Sequence, residues 1–126
     1  MKGTVTLIVP CYNEEESLPI FYHAVCDVVQ TLPDYQMTFL LINDGSKDNT
    51  LQIMRDLAAK DERVKYLSFS RNFGKEAAMY AGFCNAKGDY VAVMDADMQD
   101  PPSLLPEMLE ILEKEDYDSV ATRRVT

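Results

Sequence analysis

The sequence has few of the side chains that bind soft metals or form disulfides. Its 126 residues include one histidine, His23, and three widely spaced cysteines, Cys11, Cys26 and Cys84. No pair has the C-x-x-C spacing, and no cysteine cluster accompanies the histidine. An odd number of scattered cysteines indicates reduced intracellular thiols rather than a disulfide framework.

Basic residues are also scarce. Lysine and arginine together number 12 against 21 acidic residues, which gives a net charge of −9 and a pI near 4.4. A nucleic-acid-binding surface needs a basic face to replace the counterions of the phosphates. The composition therefore disfavours a nucleic-acid partner, although it leaves room for a small anionic ligand held through a metal ion.

Long apolar runs are absent as well. The opening MKGTVTLIVPCYNEEE reaches polar residues too early for a signal peptide. No apolar run approaches the roughly 20 residues that span a bilayer, and there is no internal repeat or low-complexity tract. We therefore expect a soluble segment.

What the chain does contain is an alternation of strand and helix patterns. A hydrophobic content of 47% and a charged content of 26% are typical of a single globular domain. Short apolar runs predict strands at 4–10, 37–44, 64–70 and 89–95, with a fifth within 117–124. Helical spacing predicts helices at 17–32, 48–61, 75–87 and from the double proline 101–102 onward. This order predicts βαβ units, a mainly parallel sheet and helices on both faces.

Polar, charged loops follow each of the first four predicted strands. In open α/β sheets ligands bind beyond the carboxyl ends of the strands, where the strand order reverses. Each loop residue alone has an ordinary explanation, such as a helix cap, a tight turn or a surface ion pair. Four such loops at one edge of a sheet together predict a binding site. They are 10–16, 43–50, 70–75 and 95–100.

The loop after the fourth strand, DADMQDPP, carries the sharpest signal. If the strand stays extended past Val93, Asp95, Asp97 and Gln99 point the same way, because alternate residues share a face. Two carboxylates and an amide oxygen suit Mg²⁺ or Mn²⁺, with the other positions left to water or phosphate. Such an ion would attract a diphosphate and stabilise charge on a departing phosphate oxygen.

Three other α/β classes share parts of this pattern. A phosphoacceptor receiver domain needs an acidic pair after strand one, an aspartate after strand three and a lysine after strand five, which this chain lacks. A phosphatase with a DxD nucleophile would place that motif after its first strand. A nucleotidyltransferase would have a glycine-rich basic loop where this chain has PCYNEEE.

Read in order, the loops VPCYNEEESL, LINDGSKDNT, SRNFGKEAAMYAG and GDYVAVMDADMQDPP resemble those of family 2 glycosyltransferases of the GT-A fold. Within that family the chain is similar to dolichyl-phosphate mannose synthase and, more closely, to bacterial bactoprenol (undecaprenyl-phosphate) glucosyltransferases. The resemblance runs from Val5 to Arg124. It implies a GT-A (Rossmann-like) fold that is truncated, because the family's catalytic domain continues beyond this length.

The resemblance also implies roles for individual residues. It places a nucleotide base and ribose against Pro10, Tyr12 and Glu14, with a hydrogen bond from the base to Asp44. It places the nucleotide phosphates near Arg71 and Lys75, and it places Arg123, with Arg124 as its companion, near phosphate. It assigns the metal and diphosphate site to Asp95, Asp97 and Gln99. Asp97 and Arg123 are then the catalytic candidates.

The implied function is a metal-dependent, inverting transfer of a hexose from a nucleotide sugar to a polyprenyl phosphate. Residues 1–126 would form the nucleotide-sugar-binding, N-terminal half of the catalytic domain, with the acceptor bound by the remainder. We expect UDP-glucose as the donor, Mg²⁺ or Mn²⁺ as the cofactor, and a full-length protein at the cytoplasmic side of the cell membrane. The alternatives are a GDP-mannose-dependent mannosyltransferase and a non-catalytic nucleotide-sugar-binding module. The oligomeric state is left open.

Overall fold

The structure is a computed structural model that describes residues 3–97, 101–115 and 119–121. Its central element is a parallel sheet. Its strands are β1 (Gly3–Cys11), β2 (Tyr35–Asn43), β3 (Val64–Ser68), β4 (Tyr90–Val93) and β5 (Ser119–Ala121). The helices are α1 (Ser17–Val29), α2 (Thr50–Lys60), α3 (Lys75–Asn85) and α4 (Leu105–Glu115), the last preceded by a 3₁₀ turn at Pro102–Leu104. The strand order is β3-β2-β1-β4-β5, and every pairing is parallel.

β1 lies at the centre of the sheet. It pairs with β2 along its whole length, from Gly3 opposite Tyr35 to Cys11 opposite Asn43, and with β4 on its other side. Because helices cover both faces, its middle residues are buried whichever way they point, and the strand reads as a continuous apolar run. The chain builds outward from β1 to β3 on one side and to β5 on the other, so the strand order reverses between β1 and β4.

The two faces of the sheet differ in how they are covered. Helices α1, α2 and α4 pack on one face around Phe21, Met54 and Leu105, and α3 packs on the other against Ile8 and Val93. Gly82 lets α3 lie very close to the sheet, since a Cβ at that position would stand 2.5 Å from Cγ2 of Ile8.

The α/β class, the parallel sheet and the helices on both faces are confirmed, while the bounds of several elements differ by a few residues. α1 ends at Val29 instead of Leu32, and β4 ends at Val93, before the acidic loop. The double proline opens a 3₁₀ turn, and the α-helix begins only at Leu105. Within the described ranges, no helix combines the length and apolar character needed to cross a membrane.

Candidate active site

A cleft of about 170 Å³ opens at the carboxyl ends of β1, β2 and β4, where the strand order reverses. Apart from Cys11 and Ala96, every residue that lines it was predicted from the sequence as a site residue. The lining consists of Pro10, Cys11, Tyr12, Glu14, Asp44, Lys75, Asp95, Ala96 and Asp97. Residues that are up to 87 positions apart in the chain (10 to 97) therefore share one site.

The loop after β1 forms one wall of the cleft and is fastened to the loop after β2. The Asn13 amide donates to Oγ of Ser46 (2.9 Å), and the Lys47 amide donates to Oδ1 of Asn13 (2.8 Å). The Glu14 amide donates to Oγ1 of Thr50 (2.8 Å). These bonds hold Asn13 at a positive φ of 53°. Tyr12, which is 40% exposed, thereby presents a flat aromatic face at the rim.

Glu14 adds negative charge to a cleft that is already acidic. Burial raises the pKa of Glu14, and the carboxylates of Asp97, Asp95 and Asp48 raise it further, against the lowering effect of the hydrogen bond from Ser17. The Ser17 hydroxyl lies 2.6 Å from Oε2 of Glu14. A cation bound among these groups would relieve the repulsion between them.

Cys11 also responds to this environment. Burial raises the pKa of its thiol well above the ordinary value, and nearby Glu14, Asp95 and Asp48 add to the effect. The cleft floor at this residue is therefore a neutral, uncharged thiol.

Asp44 is the most buried acidic residue of the lining, at 3% exposure. Its carboxylate accepts hydrogen bonds from the backbone amides of Phe73 (2.8 Å) and Gly74 (3.1 Å) and from Nδ2 of Asn72 (3.2 Å). The neighbouring Gly45 has a φ of 70°, and a Cβ there would stand 2.1 Å from the carbonyl carbon of Arg71. The loops after β2 and β3 are thus locked together at this point.

Lys75, the first residue of α3, reaches across the cleft to the loop after β4. Its Nζ lies 2.6 Å from Oδ1 of Asp95. The lysine side chain is 45% exposed and the aspartate side chain 14%. A positive group therefore lies among the acidic groups of the cleft and is open to solvent and ligands.

The structure corrects the reason for which Asp95 and Asp97 were expected to converge. β4 ends at Val93, and Ala96 and Asp97 lie in a turn, so the alternation of an extended strand does not apply here. Both carboxylates nevertheless line the cleft. The turn, and not the pleat, brings them to the same place.

The carboxylate oxygens of the cleft fit a hard divalent cation whose remaining coordination positions are filled by a bound ligand. Mg²⁺ is commonly bound through one or two carboxylates together with substrate phosphates, and Asp95 and Asp97 supply the carboxylates. Across the described residues, no group of three or more His, Cys, Asp or Glu side chains is arranged to hold a metal by itself. Gln99 lies outside the described residues.

Arg71 is the predicted site residue that the structure places elsewhere. Its guanidinium carbon lies 4.6 Å from the ring centroid of Phe73, on the exposed side of the loop, and Arg71 is not part of the cleft lining. Arg123 and Arg124 lie outside the described residues.

Sequence reasoning missed two parts of the site. Cys11 lies between the predicted residues Pro10 and Tyr12, and Ala96 lies between Asp95 and Asp97. Their positions in the chain were the only signal that could have identified them as part of the site. The other omission is Asn72, Phe73 and Gly74, which hold Asp44 mainly through backbone amides. Residue type gives no sign of such bonds.

The fold and the cleft define an α/β domain with a charged cleft at the point where its strand order reverses, and the comparison with known families is specific. The chain belongs to glycosyl transferase family 2, whose domain matches residues 6–126. It is 47% identical over 106 residues to the bactoprenol glucosyl transferase of Shigella phage SfV. The matched residues cover 84% of this chain and 34% of that protein.

Solved structures share the fold. Mannosyltransferase PcManGT from Pyrobaculum calidifontis, in complex with GDP-Man and Mn²⁺, is 23% identical with a TM-score of 0.68 over 89% of this chain and 33% of that one. S. aureus TarS 1–349 in complex with UDP is 22% identical with a TM-score of 0.68 over 90% of this chain and 33% of that one. The GT-A fold is thereby confirmed. The chain spans about a third of the length of these proteins.

Proposed function

We propose that this chain is the donor-binding half of a metal-dependent, inverting glycosyltransferase that transfers glucose from UDP-glucose to a polyprenyl phosphate. The observation that carries the proposal is the single cleft that gathers an aromatic rim, a buried aspartate, a lysine and two further carboxylates. The likeness to a bactoprenol glucosyl transferase at 47% identity supports the choice of glucose and of a lipid phosphate acceptor.

We assign the roles of the residues by where they lie in the cleft. Tyr12 is exposed at the rim and offers its ring to the base, next to Pro10 and Glu14. Lys75 lies at the amino end of α3, where both its own charge and the helix dipole favour an anion such as a diphosphate. We therefore place the base subsite at Tyr12 and the diphosphate subsite at Lys75.

Asp95 and Asp97, together with Gln99, are the residues that would hold Mg²⁺ or Mn²⁺. The cation would supply stabilisation of the negative charge that develops on the departing nucleoside diphosphate. Inversion follows from a single displacement at the anomeric carbon, with the diphosphate leaving opposite the attacking oxygen. A lipid phosphate is already an anionic nucleophile, which lessens the need for a strong general base.

We place the acceptor site in the part of such relatives that this chain does not span. Residues 1–126 then form the nucleotide-sugar-binding half of the catalytic domain, and Arg123 acts near phosphate. A polyprenyl phosphate acceptor would place the full-length protein at the cytoplasmic side of the cell membrane.

Calorimetric titration with UDP, GDP and UDP-glucose, with and without Mn²⁺, tests the proposal. We expect Mn²⁺-dependent binding of UDP, with a loss of about tenfold or more in Asp97→Asn, because a charge-assisted ligand contact contributes roughly 1.5–3 kcal/mol. Asp56→Asn is the matched control, since it removes an exposed carboxylate on α2 outside the cleft.

The other outcomes separate the alternatives. A preference for GDP would replace glucosyl by mannosyl transfer. Binding of UDP-glucose by a longer protein that transfers no sugar to a polyprenyl phosphate would identify a binding module. Equal binding by wild type and Asp97→Asn would contradict the metal site.

A further inference from the structure

Three successive backbone amides of the loop after β1 each donate to a side chain of the segment 46–50. The pairs are Asn13 to Oγ of Ser46 (2.9 Å), Glu14 to Oγ1 of Thr50 (2.8 Å) and Glu15 to Oδ2 of Asp48 (3.2 Å). The three accepting side chains are not among the residues that line the cleft, whereas Tyr12 and Glu14 are. Their effect on a ligand would therefore pass through the backbone that they hold.

Thr50 has the deepest position of the three. It is the first residue of α2 and is completely buried. Its hydroxyl accepts from the Glu14 amide and donates to Oδ1 of Asp48 at 2.5 Å. Burial raises the pKa of Asp48, but the hydrogen bonds from Thr50 and from the Glu15 amide lower it below its ordinary value. The Glu14 amide is thus held by a buried hydroxyl that is itself oriented by an ionised carboxylate.

The bonds to Ser46 and Thr50 fix the backbone on both sides of one unusual residue. Asn13 has a φ of 53°, a conformation that a residue other than glycine keeps only where the surrounding structure holds it. Its own amide and the amide of Glu14 flank its Cα, and both are hydrogen-bonded. The path of the chain between Tyr12 and Glu14 therefore depends on these two hydroxyl groups.

Glu14 carries this constraint to the wall of the cleft. Its carbonyl accepts from the Leu18 amide at 2.8 Å, and its carboxylate lies 2.6 Å from the Ser17 hydroxyl. With the amide held by Thr50, the residue is fixed at its amide, its carbonyl and its side chain. Loss of the Thr50 hydroxyl would release the one of these three contacts that lies closest to Tyr12 along the chain.

We propose that Thr50, together with Ser46, is a positioning residue for the base subsite. Its buried hydroxyl fixes the backbone between Tyr12 and Glu14 and so holds the Tyr12 ring where a nucleotide base stacks. This inference rests on the proposed function, which places the base at Tyr12. It adds a residue of α2 that acts on the base without lining the cleft.

Two substitutions at position 50 separate the hydroxyl from the shape of the side chain. Thr50→Val keeps the branched shape and removes the hydroxyl, whereas Thr50→Ser keeps the hydroxyl and removes a methyl group. We measure uridine binding by NMR titration of the ¹⁵N-labelled protein, and UDP binding with Mn²⁺ by calorimetry. We expect Thr50→Val to weaken both ligands by the same factor, roughly fivefold, and Thr50→Ser to bind both as wild type does.

Hydrogen exchange of the Glu14 amide gives a readout that needs no ligand. We expect this exchange to become faster in Thr50→Val and to stay as in wild type in Thr50→Ser, because only the valine removes the acceptor of that amide. Unchanged exchange in Thr50→Val would overturn the inference.

Thr6→Val is the matched control for a loss of stability. Thr6 is a buried threonine of β1 whose hydroxyl donates to the carbonyl of Lys87, and it does not line the cleft. We expect this variant to be less stable and to bind uridine as wild type does. Normal uridine binding by Thr50→Val, or an equal loss in Thr50→Ser and Thr6→Val, would show that Thr50 only stabilises the fold and would overturn the inference.

Ser46→Ala decides the question if thermal unfolding shows that Thr50→Val does not fold. It removes the acceptor of the Asn13 amide, and we expect uridine binding to weaken by roughly two- to threefold, because this bond is more exposed. Unchanged uridine binding would then overturn the inference. Failure of the wild-type protein to bind UDP or GDP would overturn the proposed function and the inference with it, so the two failures are distinguishable.

Discussion

Two ion pairs near opposite ends of the sheet use the same charges in different ways. Asp61 and Arg63 pair just before the first residue of β3, and Asp95 and Lys75 pair just after the last residue of β4. The first pair is surrounded by further hydrogen bonds, and the second faces a cleft. From this contrast we expect the first pair to stabilise the fold and the second to exchange partners when a ligand binds.

The Asp61 carboxylate is saturated with donors. It accepts from Nη2 of Arg63 at 2.7 Å, from Nε and the amide of Arg63 at 2.9 Å, and from the Tyr22 hydroxyl at 2.5 Å. The Arg63 guanidinium carbon also lies 5.6 Å from the ring centroid of Phe39. The hydrogen bonds from Arg63 hold the pKa of Asp61 far below its ordinary value, against some opposition from burial. No ligand could take over all of these contacts.

The Asp95 carboxylate has a simpler environment. Among the described residues, the ammonium of Lys75 is the group that holds it, and that lysine is nearly half exposed. A diphosphate approaching Lys75, or a cation approaching Asp95, could replace its partner at little cost to the fold. Three predictions, from the largest effect to the smallest, test this contrast.

The largest effect is expected from Arg63→Met. It leaves the mostly buried Asp61 carboxylate without its main donors, and we expect a loss of about 2–3 kcal/mol in the free energy of unfolding. Urea denaturation at pH 7 measures it, and UDP binding by the folded variant should be unchanged. A loss below about 0.5 kcal/mol would remove the distinction between the two pairs.

A pH series on Asp61 should give the next effect. Because the pKa of Asp61 is lower in the folded protein than its ordinary value of 3.8, the unfolded chain takes up a proton first as the pH falls. The stabilisation is complete above pH 3.8 and declines below it. We expect the stability difference between wild type and Asp61→Asn to shrink from pH 5 to pH 3, with a slope approaching about 1.4 kcal/mol per unit.

Tyr22→Phe sharpens this measurement. It removes one of the donors that lower the pKa of Asp61, so its decline should begin at the same pH as that of wild type but level off at a higher pH, with a smaller total loss of stability. Stability curves for wild type and Asp61→Asn that stay parallel through this range would show that Asp61 contributes no linkage.

The smallest effect on stability is expected from Lys75→Met. Its pair is partly solvated, and we expect a change within about 0.5 kcal/mol in urea denaturation without ligand. A loss as large as that of Arg63→Met would show that the cleft pair is also part of the structural framework.

The sequence was sufficient for the parts of the molecule that depend on apolar patterning and chain order. The apolar runs identify the strands, and the alternation with helices places the polar loops at one edge. The end of β4 was misplaced because Met94 continues the apolar run and is fully buried, although it lies beyond the last ladder residue.

The fine structure of the cleft depends on contacts that residue types do not reveal. Asp44 is held mainly by backbone amides, and the Arg71 guanidinium lies over the ring of Phe73. Both contacts require the loop after β3 to be placed in space first. For this reason the sequence predicted which loops meet, but not which contacts the side chains of those loops make.

The close seating of α3 on β1 has a consequence for how this protein tolerates change. Gly82 rests on Ile8 seven residues beyond Lys75, a distance of about 10 Å along the helix axis. A larger side chain at position 8 or 82 would push this part of α3 away from β1. We expect this to tilt the helix and move Lys75, at its start, away from Asp95. Mutations of the residues that α3 packs against, such as Ile8 and Val93, are therefore expected to appear as altered ligand affinity, although neither residue lines the cleft.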